Sequence, residues 1–250
     1  MHWRYAAGQA TGSSHAKTGK PCQDRMGCSI ENSTLIAVVA DGAGTADLAH
    51  IGAEIAVDAM SSIARLGVRA GRDDYRDVLR EGARLARERL VEAARERKAS
   101  PRDLACTLLA AIVAPIGGAA LQIGDGVIVI GDGTPSWRWV FWPQKGEYAN
   151  TTFFLSDERA LENAAVTDLG DDVVDVALMS DGMEALALNF ANREVHTPFF
   201  RSVFNPLHGA AGAGENTKLS TGLAQLLTSD AVRSRTDDDT SLVLATRREA

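Results

Sequence analysis

The stretch Leu35-Ile36-Ala37-Val38-Val39-Ala40-Asp41-Gly42-Ala43-Gly44 carries the strongest structural signal in the chain. Residues 35–40 predict a short buried strand, because nearly all of them are apolar and Asp41-Gly42 bounds the run. A carboxylate at the end of a buried strand lies on a rigid element at the edge of the core. Gly42 lets the backbone turn sharply there, and its carbonyl can then face a cation. The alternative interpretation is an ordinary Asp-Gly turn.

Further acidic motifs occur where other apolar runs stop, and they are Pro21-Cys22-Gln23-Asp24, Ile123-Gly124-Asp125-Gly126, Leu178-Met179-Ser180-Asp181-Gly182 and Asp237-Asp238-Asp239-Thr240. Carboxylates from such distant parts of a chain can converge on one point, where they repel one another unless a cation holds them. All-oxygen ligands suit Mg2+ or Mn2+ better than zinc. The alternative for Ile123-Gly124-Asp125-Gly126 is a hairpin turn between adjacent strands. The alternative for Asp237-Asp238-Asp239-Thr240 is a solvated run of charges.

Length and composition indicate a globular protein. The chain has 250 residues with 45% hydrophobic content, and no linker or shift in composition divides it, so we expect one domain over residues 1–250. The formal charge of −7 argues against a general nucleic-acid binder.

Three features favour a soluble cytoplasmic protein with no membrane partner. The cysteines, Cys22, Cys28 and Cys106, form no CxxC pair and predict free thiols in a reducing compartment. The first residues contain no apolar segment typical of a signal peptide. The most apolar stretch, residues 104–123, is broken by Pro115-Ile116-Gly117-Gly118 and predicts a hairpin.

The order of elements predicts an α+β fold with central sheets and outer helices. A helix is expected after Thr45 and another over residues 74–96, where alternating Arg and Glu indicate a solvated, salt-bridged face. Strands are expected over residues 107–114, 119–123, 127–130, 137–142, 153–155, 173–179 and 241–245. Helices are expected over 183–188 and 219–227, flanking an irregular stretch that contains Pro198 and Pro206.

Taken in order, these motifs resemble those of the metal-dependent serine/threonine protein phosphatases of the PP2C (PPM) family, and most of all its divergent bacterial branch. Residues 14–24 are similar to the opening motif, and Asp41-Gly42-Ala43-Gly44 to the second. Gly124-Asp125 resembles the start of a Gly-Asp-Ser-Arg element, and Ser180-Asp181-Gly182 a Ser-Asp-Gly element. Asp237-Asp238-Asp239-Thr240 resembles Asp-Asn-x-Thr, with Asp237 in the ligand position.

The resemblance implies a four-layer α-β-β-α sandwich and hydrolysis of phosphoserine and phosphothreonine on proteins by a metal-activated bridging water. It implies two Mn2+ or Mg2+ ions and a weaker third. The implied ligands are Asp24, Asp41, Gly42, Asp125, Asp181 and Asp237. Asp41 would bridge the ions, and Asp24 would act mainly through bound water. A cognate bacterial Ser/Thr kinase is the implied partner, acting on the same phosphoproteins.

The sequence departs from the family pattern at three positions. Gln23 stands where the family often has Glu, and Gly19 stands near the position of a phosphate-binding arginine. Lys17, Lys20 and His15 are the nearby basic residues that can substitute for the arginine, and Lys17 and Lys20 are the predicted phosphate-binding residues.

The third departure concerns a histidine proposed as general acid in some family members, whose position is Ala43 here. His15 and His50 are the remaining candidates near the motifs. His50 is interpreted as an ordinary helix histidine, and His15, which lies inside the opening motif, is the predicted catalytic histidine. The alternative is that His15 is an ordinary histidine.

Two other functions remain open from the sequence. The same fold can act as a weakly catalytic or non-catalytic phosphoprotein-binding module, although a retained acidic cluster is costly without metal. An enzyme for a small phosphoester or nucleotide is the other alternative, but the chain has no Gly-x-x-x-x-Gly-Lys loop.

Overall fold

The computed structural model describes residues 1–144 and 152–248, which contain two large β-sheets, a small two-stranded sheet and several flanking helices. The strands are β1 (His2–Ala10), β2 (Arg25–Glu31), β3 (Thr34–Ala40), β4 (Leu108–Val113), β5 (Gly118–Ile123), β6 (Val127–Gly131), β7 (Trp137–Trp139), β8 (Ala165–Leu169), β9 (Asp175–Met179), β10 (Leu188–Asn189), β11 (Glu194–Val195), β12 (Gly214–Glu215) and β13 (Thr240–Arg248). The α-helices are α1 (Ser13–Thr18), α2 (Ala49–Arg69), α3 (Tyr75–Glu96), α4 (Glu184–Ala187), α5 (Thr197–His208), α6 (Thr217–Leu227) and α7 (Asp230–Arg233). Two 3-10 turns cover Pro101–Leu104 and Asp181–Met183.

The two sheets and the longer helices form four layers. One sheet has the order β2-β3-β4-β5-β8 and the other β12-β1-β13-β9-β6-β7, while β10 and β11 pair separately. Within β3, Ile36 and Val38 pack against α2 and α3, whereas Leu35 and Ala37 join the core between the sheets. This alternation explains why β3 is apolar from Leu35 to Ala40, since both of its faces are buried. Helices α5 and α6 cover the other sheet, so the predicted α-β-β-α sandwich is confirmed.

Several predicted elements need correction. The chain forms strands β1, β2 and β8, which its apolar pattern does not predict, whereas residues 153–155 form no strand. Helix α2 begins at Ala49 and has no side-chain cap, so Thr45 does not cap it. The predicted helix over 183–188 is a 3-10 turn followed by the four residues of α4.

The stretch around Pro198 and Pro206 is the largest correction, because it contains helix α5. Pro198 lies in the first turn, where no intrahelical N–H donor is needed. Apolar side chains at Phe200, Phe204 and neighbouring positions pack on the six-stranded sheet. Their burial offsets the cost of Pro206 in the last turn.

The polar face of α3 is salt-bridged, as its sequence predicts. Arg80 Nη1 lies 3.0 Å from Asp77 Oδ1, and Arg84 Nη1 lies 2.7 Å from Glu88 Oε1. Each exposed pair adds only about 0.3–0.5 kcal/mol, so this face serves mainly as a solvated surface. None of the helices in the described ranges is long and apolar enough to cross a membrane.

Candidate metal centre

Antiparallel strand pairing brings the acidic motifs to one edge of the sandwich. Met179, near the end of β9, pairs with Leu242 of β13 and with Val127 of β6. The residues after β9 and those before β6 and β13 therefore lie at the same edge. Together with the end of β3 they line a cavity of about 350 Å³, whose carboxylates are Asp41, Asp125, Asp181 and Asp238.

The backbone of Asp41 is fixed by the chain that leads into β4. Its N–H donates to Thr107 Oγ1 at 3.0 Å, and its carbonyl accepts from Thr107 N at 2.8 Å. Burial, followed by the charges of Asp24 and Asp181, raises the pKa of Asp41 well above its usual range. The site thus concentrates negative charge around a rigidly held carboxylate.

Asp24 is fully buried beside this cluster, and burial raises its pKa to about 7. Ser180, Asp41 and Ser241 lie near enough to offset part of that rise, but neither carboxylate oxygen accepts a well-formed hydrogen bond. Asp181 Oδ1 is also buried without a hydrogen-bond partner. A divalent cation satisfies such orphaned oxygens, so the donor set fits Mg2+ or Mn2+.

The carboxylates do not form a complete coordination shell by themselves. Within residues 1–144 and 152–248, no three His, Cys, Asp or Glu side chains are grouped closely enough to hold one ion. An ion bound here would need water for the rest of its shell. Mg2+ characteristically retains several waters, which agrees with this arrangement.

In the motif Asp237-Asp238-Asp239-Thr240, the carboxylate that lines the cavity is one residue later than the predicted one. Asp238, not Asp237, lines the cavity with Asp41 and Asp181. Burial and the charge of Asp181 raise the pKa of Asp238. Asp237 instead lines an adjoining cavity.

Burial separates the three neighbouring carboxylates of this loop. Asp237 and Asp238 are exposed, whereas Asp239 is buried. All three precede Thr240, the first residue of β13, so strand alternation does not assign their directions. The position of Asp238 in the carboxylate cavity is therefore known from the folded structure.

Asp239, which lies outside the predicted ligand set, joins residues 12–23 to the start of β13. It is 2% exposed and accepts hydrogen bonds from Gly12 N at 2.7 Å and Gln23 N at 2.6 Å. His15 Nδ1 lies 2.9 Å from Asp239 Oδ2. Asp239 thus fastens the opening motif to the start of β13.

The adjoining cavity is lined by two of the three basic residues of the opening motif, His15 and Lys20. Its lining includes His15, Lys20 and Asp237, and it shares Gly44 and Asp238 with the carboxylate cavity. Lys20 Nζ donates to the Gly44 carbonyl at 3.0 Å.

Lys17, by contrast, is exposed on α1 and is absent from the lining of both cavities. Of the two predicted phosphate-binding lysines, the structure therefore brings only Lys20 close to the site.

Cys22 is poorly suited to nucleophilic catalysis. Burial, followed by the charges of Asp24 and Asp239, raises the pKa of its thiol to about 12. Cys22, Cys28 and Cys106 are all free, as predicted.

The glycine of the Ser180-Asp181-Gly182 motif is required by close packing. A Cβ at Gly182 would overlap the Asp239 carbonyl oxygen. We expect Gly182→Ala to lower the free energy of unfolding by about 2 kcal/mol or more, because backbone atoms must move apart.

Gly222→Ala in α6 is the control, since nothing lies within 4 Å of its Cβ position. Alanine should leave stability unchanged there or raise it by up to about 1 kcal/mol. Urea unfolding compares the two, and equal stability would contradict the packing described here.

Comparisons with known proteins point to one family. The family model for protein phosphatase 2C matches residues 11–228. Serine/threonine-protein phosphatase 3 of Escherichia coli (strain K12) is 37% identical over 251 residues, covering 98% of each chain. A bacterial serine phosphatase structure has a TM-score of 0.69 at 14% identity, covering 98% of each chain. The catalytic domain of the phosphatase PstP, solved with two manganese ions, has a TM-score of 0.68 at 16% identity, again covering 98% of each chain.

The chain therefore belongs to the protein phosphatase 2C family. The predicted enzyme class, a protein serine/threonine phosphatase, is confirmed by the family match and by the Escherichia coli relative. The structural neighbours, at identities below 25%, support the fold. The family match ends at residue 228, so the register of Asp237-Asp238-Asp239 rests on the structure alone.

Proposed function

We propose that this chain is a single-domain, metal-dependent phosphatase that hydrolyses phosphoserine and phosphothreonine on proteins. The observation that carries the proposal is the convergence of Asp24, Asp41 and Asp181, in which buried carboxylate oxygens of Asp24 and Asp181 lack hydrogen-bond partners. The residues that would hold two Mn2+ or Mg2+ ions, and a weaker third, are Asp24, Asp41, the Gly42 carbonyl, Asp125, Asp181 and Asp238. Asp238 takes the place predicted for Asp237.

The bound ions would neutralise the phosphoryl oxygens and activate a water for attack on phosphorus. The chain itself supplies a rigid frame for that chemistry. Thr107 holds the backbone of Asp41, and Asp239 holds the backbone of Gln23, one residue before Asp24. These bonds limit the movement of the two carboxylates and so favour one fixed arrangement of ligands.

Lys20 supplies positive charge near the site in place of the family arginine. Its ammonium group lies at the rim shared by the two cavities, through its bond to Gly44. We expect Lys20→Ala to raise KM for a phosphothreonine peptide about 3- to 10-fold with little change in kcat, because it removes uniform binding of the dianion. Lys17→Ala should change neither constant, because Lys17 lies outside both cavities. Equal effects of the two substitutions in steady-state kinetics would contradict this assignment.

Phosphate release from a phosphothreonine peptide tests the proposed function. We expect turnover with added Mn2+ or Mg2+ and none after chelation. Binding of the peptide without release of phosphate would favour the phosphoprotein-binding module. Faster release from a nucleotide than from the peptide would favour the small-phosphoester enzyme.

A kinase that phosphorylates serine and threonine on the same proteins would provide the substrates. The product alcohol of the proposed reaction is the acceptor for such a kinase, so the two activities would form a reversible cycle. This partner follows from the chemistry of the proposed substrate.

A further inference from the structure

We infer that Asp239 is a positioning residue that orients His15 as the proton donor to the departing serine or threonine oxygen. This inference rests on the proposed function. It assigns a role to Asp239, which the sequence motifs left unassigned. It also explains how His15 would be oriented, through its contact with Asp239, which lies 224 positions later in the chain.

The hydrogen bonds around Asp239 determine which way its bond to His15 runs. Gly12 N donates to Oδ1, and Gln23 N donates to Oδ2. Both oxygens therefore act as acceptors, and His15 Nδ1 must be the donor to Oδ2. The imidazole is held through Nδ1, which leaves Nε2 available for chemistry, the orientation that carboxylates give to catalytic histidines.

The free nitrogen faces the loop that follows Asp41. His15 Nε2 lies 3.6 Å from the position that a Cβ would take at Gly44. Because residue 44 is glycine, no side chain separates the imidazole from that loop. His15 is 7% exposed, so the ring is held inside the cavity wall.

The adjoining cavity provides space for the peptide side of the substrate. It meets the carboxylate cavity at Gly44 and Asp238 and has a volume of about 360 Å³. With the phosphoryl group among the carboxylates, the serine or threonine oxygen would be directed toward this second cavity. His15 lies in its wall, on the side where the leaving oxygen would depart.

The proton transfer balances without a further reactant. The bond between phosphorus and the serine or threonine oxygen breaks, and its electron pair stays on that oxygen. The oxygen takes the proton from His15 Nε2 and leaves as a hydroxyl group. Water provides the new oxygen on phosphorus, and one of its protons returns His15 to its starting state.

Leaving-group dependence separates this role from a structural one. An alkoxide needs a proton to depart, whereas p-nitrophenolate leaves without one. We expect His15→Asn to lower kcat for a phosphothreonine peptide by about 100-fold and kcat for p-nitrophenyl phosphate by less than about 3-fold. The asparagine amide can still donate to Asp239 from the position of Nδ1, but it lacks the second nitrogen. His2→Asn, at the exposed start of β1, is the control and should leave both rates unchanged.

Asp239→Asn should lower kcat for the peptide more than kcat for p-nitrophenyl phosphate if Asp239 acts through His15. A further loss common to both substrates is expected, because Asp239 also holds the backbone of Gln23 beside Asp24. Because this substitution can also prevent folding, nitrogen NMR of the imidazole in the unmodified protein provides a second measurement. We expect His15 Nδ1 to carry a hydrogen-bonded proton. An unprotonated Nδ1 would overturn the assignment.

Three kinetic outcomes have separate meanings. The selective loss described above supports the inference. Equal losses for the two substrates in His15→Asn, or no loss for either, overturn it while leaving the phosphatase activity established by the unmodified protein. If the unmodified protein releases no phosphate from either substrate with Mn2+, the proposed function fails and the inference fails with it.

Discussion

Replacing Asp41 with asparagine is expected to lower phosphate release from a phosphothreonine peptide by about 1,000-fold or more, since losing a ligand to a buried ion removes several kcal/mol of transition-state stabilisation. The protein should remain folded, because the backbone of Asp41 is held by Thr107 rather than by its own side chain. The substitution also removes repulsion with Asp24 and Asp181. The melting temperature in chelator should therefore stay constant or rise.

Asp132→Asn is a matched control for this prediction. Asp132 also precedes a glycine after an apolar strand, but its side chain accepts from Thr134 at the exposed end of β6, away from the carboxylate cavity. We expect unchanged kcat and KM. A normal rate in Asp41→Asn, measured beside this control, would remove Asp41 from the site.

The second large effect distinguishes two adjacent carboxylates. We expect Asp238→Asn to lower kcat by about 100-fold, because Asp238 lines the cavity with Asp41 and Asp181. Asp237→Asn should change kcat by less than about 3-fold, because that side chain lies in the adjoining cavity. Both variants lose one charge from the same loop, so their comparison cancels any general electrostatic effect.

Steady-state kinetics at saturating Mn2+ is the measurement for this pair. A large loss in Asp237→Asn with a normal rate in Asp238→Asn would restore the register predicted from the motif. Equal losses in both would mean that the loop acts as a diffuse negative surface rather than through one ligand.

The parts of the fold that were predictable have regular apolar patterns. Residues 35–40 and strand β4 are buried on both faces, so unbroken apolar runs mark them clearly, and β5 differs from this pattern only at Gln122 and its first glycine. Helix α3 shows both an apolar stripe and paired charges. In contrast, β2 is half-buried along its whole length, so its pattern gives no strong alternation.

The limits of prediction at the site arise from register and from long-range contacts. The Asp-Gly motifs located Asp41 and Asp181, because each follows a recognisable strand. The triplet Asp237-Asp238-Asp239 offers three similar side chains, and only the folded loop before β13 shows which of them lines the carboxylate cavity. No local pattern predicts that Asp239 binds His15, because that contact depends on the packing of β1 beside β13.

The central claim is that the converging carboxylates bind divalent ions, and direct titration with Mn2+ tests it. Electron paramagnetic resonance of free Mn2+ measures how many ions the metal-stripped protein takes up. We expect at least two bound ions per chain, with uptake strongly reduced in Asp41→Asn and unchanged in Asp132→Asn. No uptake by the unmodified protein, or equal uptake by all three proteins, would contradict a metal centre in this cavity.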